Sequence, residues 1–227
     1  MSCYKDVYKD FPSRCLRLWD RIDQMSAKDS EDLSVTTMLV IAAAGFAMPW
    51  EHLKQDGPKA DGARWKSHPA FKSVSESDYA QALKTLKNEF SKPLVKSELS
   101  HSSGTQYWRM ATCLELGRVR EVGEYDEGEE FDLNETPVRE LLKCLRNALA
   151  HNNVCAFGNG KIERLSFFSE RVEYPNNKKT VVGWNVATTS IEGFRHFLRG
   201  WFDLIETPHL RLVLSEAMLS EPEREAA

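Results

Sequence analysis

Between Thr136 and Asn153 the sequence TPVRELLKCLRNALAHNN leaves the backbone one regular choice. Leu142, Leu145 and Leu149 recur at three and four residues, and Leu141 and Ala148 widen that side, the period of an α-helix with one apolar face. Thr136 and Pro137 read as its start. Threonine caps helix N-termini, and proline suits the first helical position because the amide it lacks has no intrahelical partner there. Lys143, Asn147 and His151 recur at four residues, well round the helix from the leucines, with Arg146 on the flank and long enough to join them. Asn152 or Asn153 can take the left-handed conformation that closes many helices. The helix buries one side and offers the other.

The polar side reads R-N-x-x-x-H, followed by Asn-Asn, and this resembles the HEPN superfamily. Further stretches carry the resemblance. An early helix begins Asp10-Phe11-Pro12-Ser13-Arg14-Cys15, and an apolar second helix runs into Met48-Pro49-Trp50-Glu51. After the motif, a hairpin-like segment ends in Trp184-Asn185-Val186, and a helix carries Phe194, Phe197, Leu198 and Trp201. The resemblance spans residues 10–206 and is poorest in the middle. It implies a mainly α fold, a HEPN-like helical bundle with one small antiparallel β-hairpin. Residues 1–206 would form a single domain with loop insertions at 56–77 and 121–132, and 207–227 a short C-terminal helix and frayed tail.

Many HEPN proteins are metal-independent ribonucleases of toxin–antitoxin, anti-phage and CRISPR-linked systems, and the resemblance implies such an activity here. The residue types suit it. Cleaving RNA without metal needs a base for the ribose 2′-hydroxyl, an acid for the leaving 5′-oxygen and a cation for the phosphorane. Histidine titrates near neutral pH and can serve either proton transfer, and arginine can fork onto two phosphate oxygens. Arg146, Asn147 and His151 are therefore the candidate catalytic residues, with Lys143, Asn152 and Asn153 as candidate substrate-binding residues. One chain supplies one such histidine, because His52, His68, His101, His196 and His209 lack a matching neighbourhood. HEPN proteins commonly dimerise with both motif helices at one cleft, so the resemblance implies a homodimer through the motif helix. An antitoxin or other regulatory protein is a further expected partner. Where HEPN toxins are silenced by a partner nucleotidyltransferase, a tyrosine stands two residues after the histidine; here that residue is Asn153, which argues against such modification. The reading from another class is a non-catalytic HEPN-like module that binds RNA or protein through the same face.

The remaining sequence bounds these expectations. A net charge of −4 gives no general nucleic-acid footprint, so RNA must be held by a local basic patch or by a groove between two copies. The five cysteines are scattered, with no C-x-x-C pair and no Cys/His cluster, which disfavours disulfides and structural zinc. No cofactor is expected, since no phosphate-binding glycine loop occurs. The start lacks a signal-peptide core and the longest apolar run, Val35 to Trp50, is too short to span a bilayer; a cytoplasmic protein without membrane contact is expected.

Along the chain, Phe11, Cys15, Leu18, Ile22 and Met25 predict an amphipathic first helix, and the second helix, apolar nearly all round, belongs in the centre of a bundle. Residues 56–77 read as a loop, in which Trp65 with Lys59, Arg64, Lys66 and His68 either meets RNA or tucks back onto the bundle. Ser75 and Asp78 resemble a capping box before a helix carrying Leu83, Leu86 and Phe90. Residues 91–104 read as irregular, and Tyr107 to Val119 fits helix and strand equally. The acidic run at 121–132 lacks the order of a calcium loop and reads as solvated, placed away from the active face or guarding it. Ile162 to Val172 and Val181 to Val186 predict an antiparallel pair, then Thr189 or Ser190 caps a helix whose Phe194, Phe197, Leu198, Trp201 and Ile205 face the core. Pro208 interrupts that helix before a further short one.

Overall fold

The computed structural model describes residues 7–26, 34–47, 49–50, 75–115 and 129–219. The loop carrying Lys59 to His68 and the acidic residues Glu121 to Glu127 lie outside the described residues.

The fold is mixed α/β, which corrects the expectation of a mainly α bundle with one small hairpin. Helix α1 (Val7–Ser26), α2 (Ser34–Ala42) and α3 (Glu76–Ser91) precede strands β1 (His101–Ser102), β2 (Thr105–Gln106) and β3 (Trp108–Cys113). Then come α4 (Val138–Ala150), β4 (Val154–Phe157), β5 (Arg164–Glu173), β6 (Thr180–Ser190), α5 (Ile191–Ile205) and α6 (Pro208–Leu219). β1 and β2 pair alone, while the others form a four-stranded antiparallel sheet in the order β3-β6-β5-β4. The expected β5–β6 pair exists, but as the centre of that sheet. Its neighbours escaped sequence reading for a physical reason. Trp108, Met110, Ala111 and Cys113 of β3 point to both faces and are all buried, which erases the alternation that marks a one-sided strand.

One face of the sheet carries Trp108, Met110, Leu165, Phe167 and Ala187 into the main core; the other gathers Cys113, Phe168 and Val186. Helix α5 covers the first face. Its Ser190 cap accepts the Gly193 amide at 3.0 Å, and Phe194, Phe197, Leu198, Trp201 and Ile205 are buried as expected. An aromatic chain ties helices to sheet. Phe167 meets Phe194 at 5.1 Å, Trp108 meets Phe197 at 5.7 Å, and Phe46 meets Phe197 and Trp201 edge-on at 5.4 and 4.9 Å.

The early helices depart from expectation in detail. Among the described side chains of α1, Cys15 and Trp19 are buried, while Leu18 is 52% exposed; the bulkier indole takes the inward azimuth. α2 is covered on one side only, since Val40 is 64% exposed. It runs into a π-turn, Ala43–Ala47, where a Cβ on Gly45 would lie 2.6 Å from the Phe202 ring. Trp201 Nε1 donates to the Gly45 carbonyl at 3.1 Å, so only glycine lets this turn seat on α5. The Ser75 cap of α3 holds: its hydroxyl oxygen accepts the Asp78 amide at 3.1 Å and donates to the Asp78 carboxylate at 2.6 Å. His209 of α6 adds a 2.9 Å contact to that carboxylate. Hydrogen bonds from Ser75 and then His209 hold the Asp78 carboxyl below its usual range.

Candidate active site

Helix α4 crosses the sheet on its core side, resting on β5 and β6. Val138, Leu141, Leu142, Cys144, Leu145 and Ala148 are buried, and Leu149 is half-buried. Cys144, which the leucine pattern passes over, occupies the centre of the contact, its Sγ 3.6 Å from the carbonyls of Phe167 and Asn185. It sits one turn from Ala148 and Leu141, the signal that could have placed it. Burial pushes its thiol up to about 12.

The start of α4 lies one residue later than expected. Pro137 is the cap position and no side chain caps it, because the Thr136 hydroxyl donates to the Asp132 carbonyl at 2.7 Å instead. The end is a complete left-handed closure. Asn152 has φ 54°, its amide donates to the Leu149 carbonyl at 3.4 Å, and the Asn153 amide donates to that of Ala148 at 2.8 Å. The Asn153 carbonyl then accepts the Phe168 amide at 2.9 Å, which begins the β4–β5 pairing. Of the two asparagines, one bends the chain and the other hands it to the sheet.

This closure sets the motif side chains. His151 stands at the C-cap, exposed, with φ −107° and ψ 8°, its amide donating to the Asn147 carbonyl at 3.1 Å. Arg146 and Asn147 are half-buried and joined: Arg146 Nη1 donates to Asn147 Oδ1 at 2.8 Å. Asn147 thus holds the guanidinium through its side chain, while its main-chain carbonyl accepts the His151 amide. Lys143 is exposed and pairs with Glu140 at 3.2 Å, and Arg139 reaches the same carboxylate at 3.3 Å. Glu140 is a partner that sequence reading overlooked. The other described histidines lie elsewhere: His196 Nε2 meets the Glu98 carbonyl at 2.6 Å, His209 meets Asp78, and His101 is in β1. An exposed imidazole can exchange protons, and a guanidinium held by a neighbouring amide can bind an anion.

The opposite end of α4 differs. There Met110, Phe131 and Asn185 floor an open cleft of about 440 Å³, walled by Glu129, Glu130, Asp132, Glu135 and Glu140. Glu129 to Phe131 return along β3, with the Thr112 amide donating to the Glu129 carbonyl and the Phe131 amide to that of Met110, both at 2.9 Å. The described part of the acidic run therefore lies away from His151. Asp132 accepts the Asn134 amide at 2.9 Å and its side-chain amide at 3.0 Å, which lowers its carboxyl. No group of three or more His, Cys, Asp or Glu among the described residues is placed to hold a metal, and no described helix is long and apolar enough to cross a membrane.

The family model described as HEPN pEK499 p136 matches residues 1–211. No curated protein and no solved structure matches the chain.

Proposed function

The chain belongs to the HEPN pEK499 p136 family, and we propose that it is a metal-independent endoribonuclease, acting in the cytoplasm as a toxin or anti-phage effector. The observation that carries this reading is the exposed His151 at the closed end of α4, with Arg146, five residues earlier on the same helix, held by Asn147. In the reaction, one copy's His151 takes the proton of a ribose 2′-hydroxyl, and the 2′-oxygen attacks the adjacent phosphorus. The bond to the 5′-oxygen breaks, and the leaving oxygen takes a proton from the second copy's His151. The products are a 2′,3′-cyclic phosphate and a 5′-hydroxyl. Arg146 swings from the Asn147 amide onto the phosphorane oxygens, where a fixed cation counts most because the charge is greatest in the transition state. Lys143, Asn152 and Asn153 lie near enough along the chain to bind the flanking nucleotides.

This mechanism requires a two-fold dimer through α4, since isologous pairing duplicates a half-site with the fewest new contacts. Its exposed strip, Arg139, Lys143 and Ala150, would face its copy. We read residues 1–206 as the single domain that carries the site. The test is cleavage of cellular RNA by the wild-type chain and by His151→Ala, with the RNA ends sequenced and the mass measured by light scattering. Cyclic phosphate ends that depend on His151, from a dimer, support the reading. Cleavage by a strict monomer would overturn the shared site, and cleavage by His151→Ala the mechanism.

A further inference from the structure

The central strand pair outgrows its sheet. β3 pairs with β6 only from Trp184 to Thr189, and β4 pairs with β5 only from Arg164 to Phe167. Past these limits β5 and β6 continue, among the described residues, as a two-stranded ribbon, with Arg171 opposite Gly183, Val172 opposite Val181 and Glu173 opposite Thr180. A bulge after Arg171 twists it, and a tight turn at Pro175–Asn177, with Asn176 at φ 54°, closes it. From Glu170 to Asn176 the arm extends roughly 20 Å. It is exposed at its outer end, with Tyr174 at 66% and Val181 at 45%, while Val172 and Val182 are half-buried and Gly183 at the base is buried.

The arm rises beside the motif. The Asn153 carbonyl is bonded to the Phe168 amide, and Glu170, at the arm's base, is two residues on, roughly 7 Å. Leu165 and Phe167 point to the α4 side of the sheet, and the Cys144 thiol meets the Phe167 carbonyl there. Ser169 and then Arg171 follow on that face by alternation. Lys178 and Lys179 follow the tip. Their acidic neighbours are Glu170 and Glu173, and Glu170 holds Lys179 at 2.9 Å in an exposed pair that a phosphate can displace at little cost. The arm thus carries three cations against two carboxylates and an exposed aromatic ring, on a chain whose net charge is −4.

We propose that the β5–β6 arm guides RNA: Arg171, Lys178 and Lys179 hold phosphates of the single strand leaving the Arg146 and His151 corner, and Tyr174 stacks on one of its bases. The inference rests on RNA being the substrate of that corner. Cations that track a backbone next to an aromatic platform are how single strands are held without regard to sequence.

Binding separates this idea from cleavage. The full chain carrying His151→Ala is titrated with a dye-labelled single-stranded RNA of mixed sequence, read by fluorescence anisotropy. Arg171→Ala, Lys178→Ala and Lys179→Ala together loosen binding tenfold or more and flatten its salt dependence by roughly 0.7 per lost phosphate contact. Tyr174→Ala loosens it about fivefold, equal to ~1 kcal/mol of stacking. Glu170→Gln with Glu173→Gln tightens it, a gain that misfolding cannot imitate. A triple variant that binds like its parent, or a wild-type chain that binds no RNA, overturns the proposal. So does a triple variant that changes only the oligomeric state, since the arm would then serve a second copy. A chain that binds through the arm and cleaves nothing refutes the ribonuclease reading and leaves the arm standing.

Discussion

Helix α4 ends in a walled acidic cleft at its N-terminus and in an exposed imidazole and a guanidinium at its C-terminus. The two are about 20 Å apart along thirteen residues. The first end follows the helix dipole, which favours a carboxylate such as Glu140 in the first turn, whereas the last turn holds no basic residue: Arg146 precedes it and His151 stands at the cap. What separates them is shape and engagement. Carboxylates wall the cleft, and Glu140 there also holds Arg139 and Lys143. The other end presents His151 on a left-handed closure and has a cationic arm beside it. A negative total charge therefore says little about where a polyanion can approach: the acids of one end would turn it toward the other.

The comparison breaks most visibly in activity. His151→Ala and Arg146→Ala should each lower RNA cleavage by a factor on the order of a hundred or more, through lost proton transfer and lost transition-state charge respectively. Asn147→Ala should cost less, because the amide only holds the guanidinium. Thermal melting should hardly change, since none of the three is fully buried. Equal loss from Glu135→Gln and Glu140→Gln would erase the distinction between the ends.

Asn152 sharpens it next. Asn152→Val, which forces a β-branched residue into the left-handed region, should cost about 1–2 kcal/mol by urea unfolding, while Asn152→Gly should be nearly neutral. Cleavage by the valine variant should fall further than its small unfolded fraction explains, because the closure aims His151. Loss in strict proportion to the unfolded fraction would separate the closure from the site.

At the other end, Glu140→Gln should lower stability by no more than about 1 kcal/mol, the range of exposed ion pairs, and leave cleavage nearly unchanged at saturating RNA. The smallest expected effect is that of chelation: EDTA should leave the rate unaltered, because the acid–base route uses side chains only. Restoration of a chelated, inactive enzyme by magnesium would move the chemistry to the acidic end.

Elements whose periodicity survives folding were legible in the sequence. The leucines of α4, the Ser190 cap with the aromatic face of α5, the Ser75 cap of α3 and the β5–β6 pair are each set by local spacing. Where two faces are buried, the pattern vanishes: Leu165 through Ser169 are all buried, so the sheet looked like one imperfect strand pair. β4 was lost because four residues carry no period. Thr136 misled because its hydroxyl had a nearer carbonyl. At the site, the family was readable from the motif, but the Arg146–Asn147 bond and the arm were not. The bond depends on rotamers, and the arm on where β3 and β4 stop pairing, which depends on register.

Cys144 has one more consequence. Its sulfur lies beneath the middle of α4, protonated at neutral pH and closed to reagents, while Cys155 on β4 is only half-buried. A thiol there can be alkylated only in the moments when the helix lifts from the sheet. The native protein thus carries its own stopwatch: the labelling rate of Cys144 counts how often the platform under His151 comes apart, without a probe being introduced.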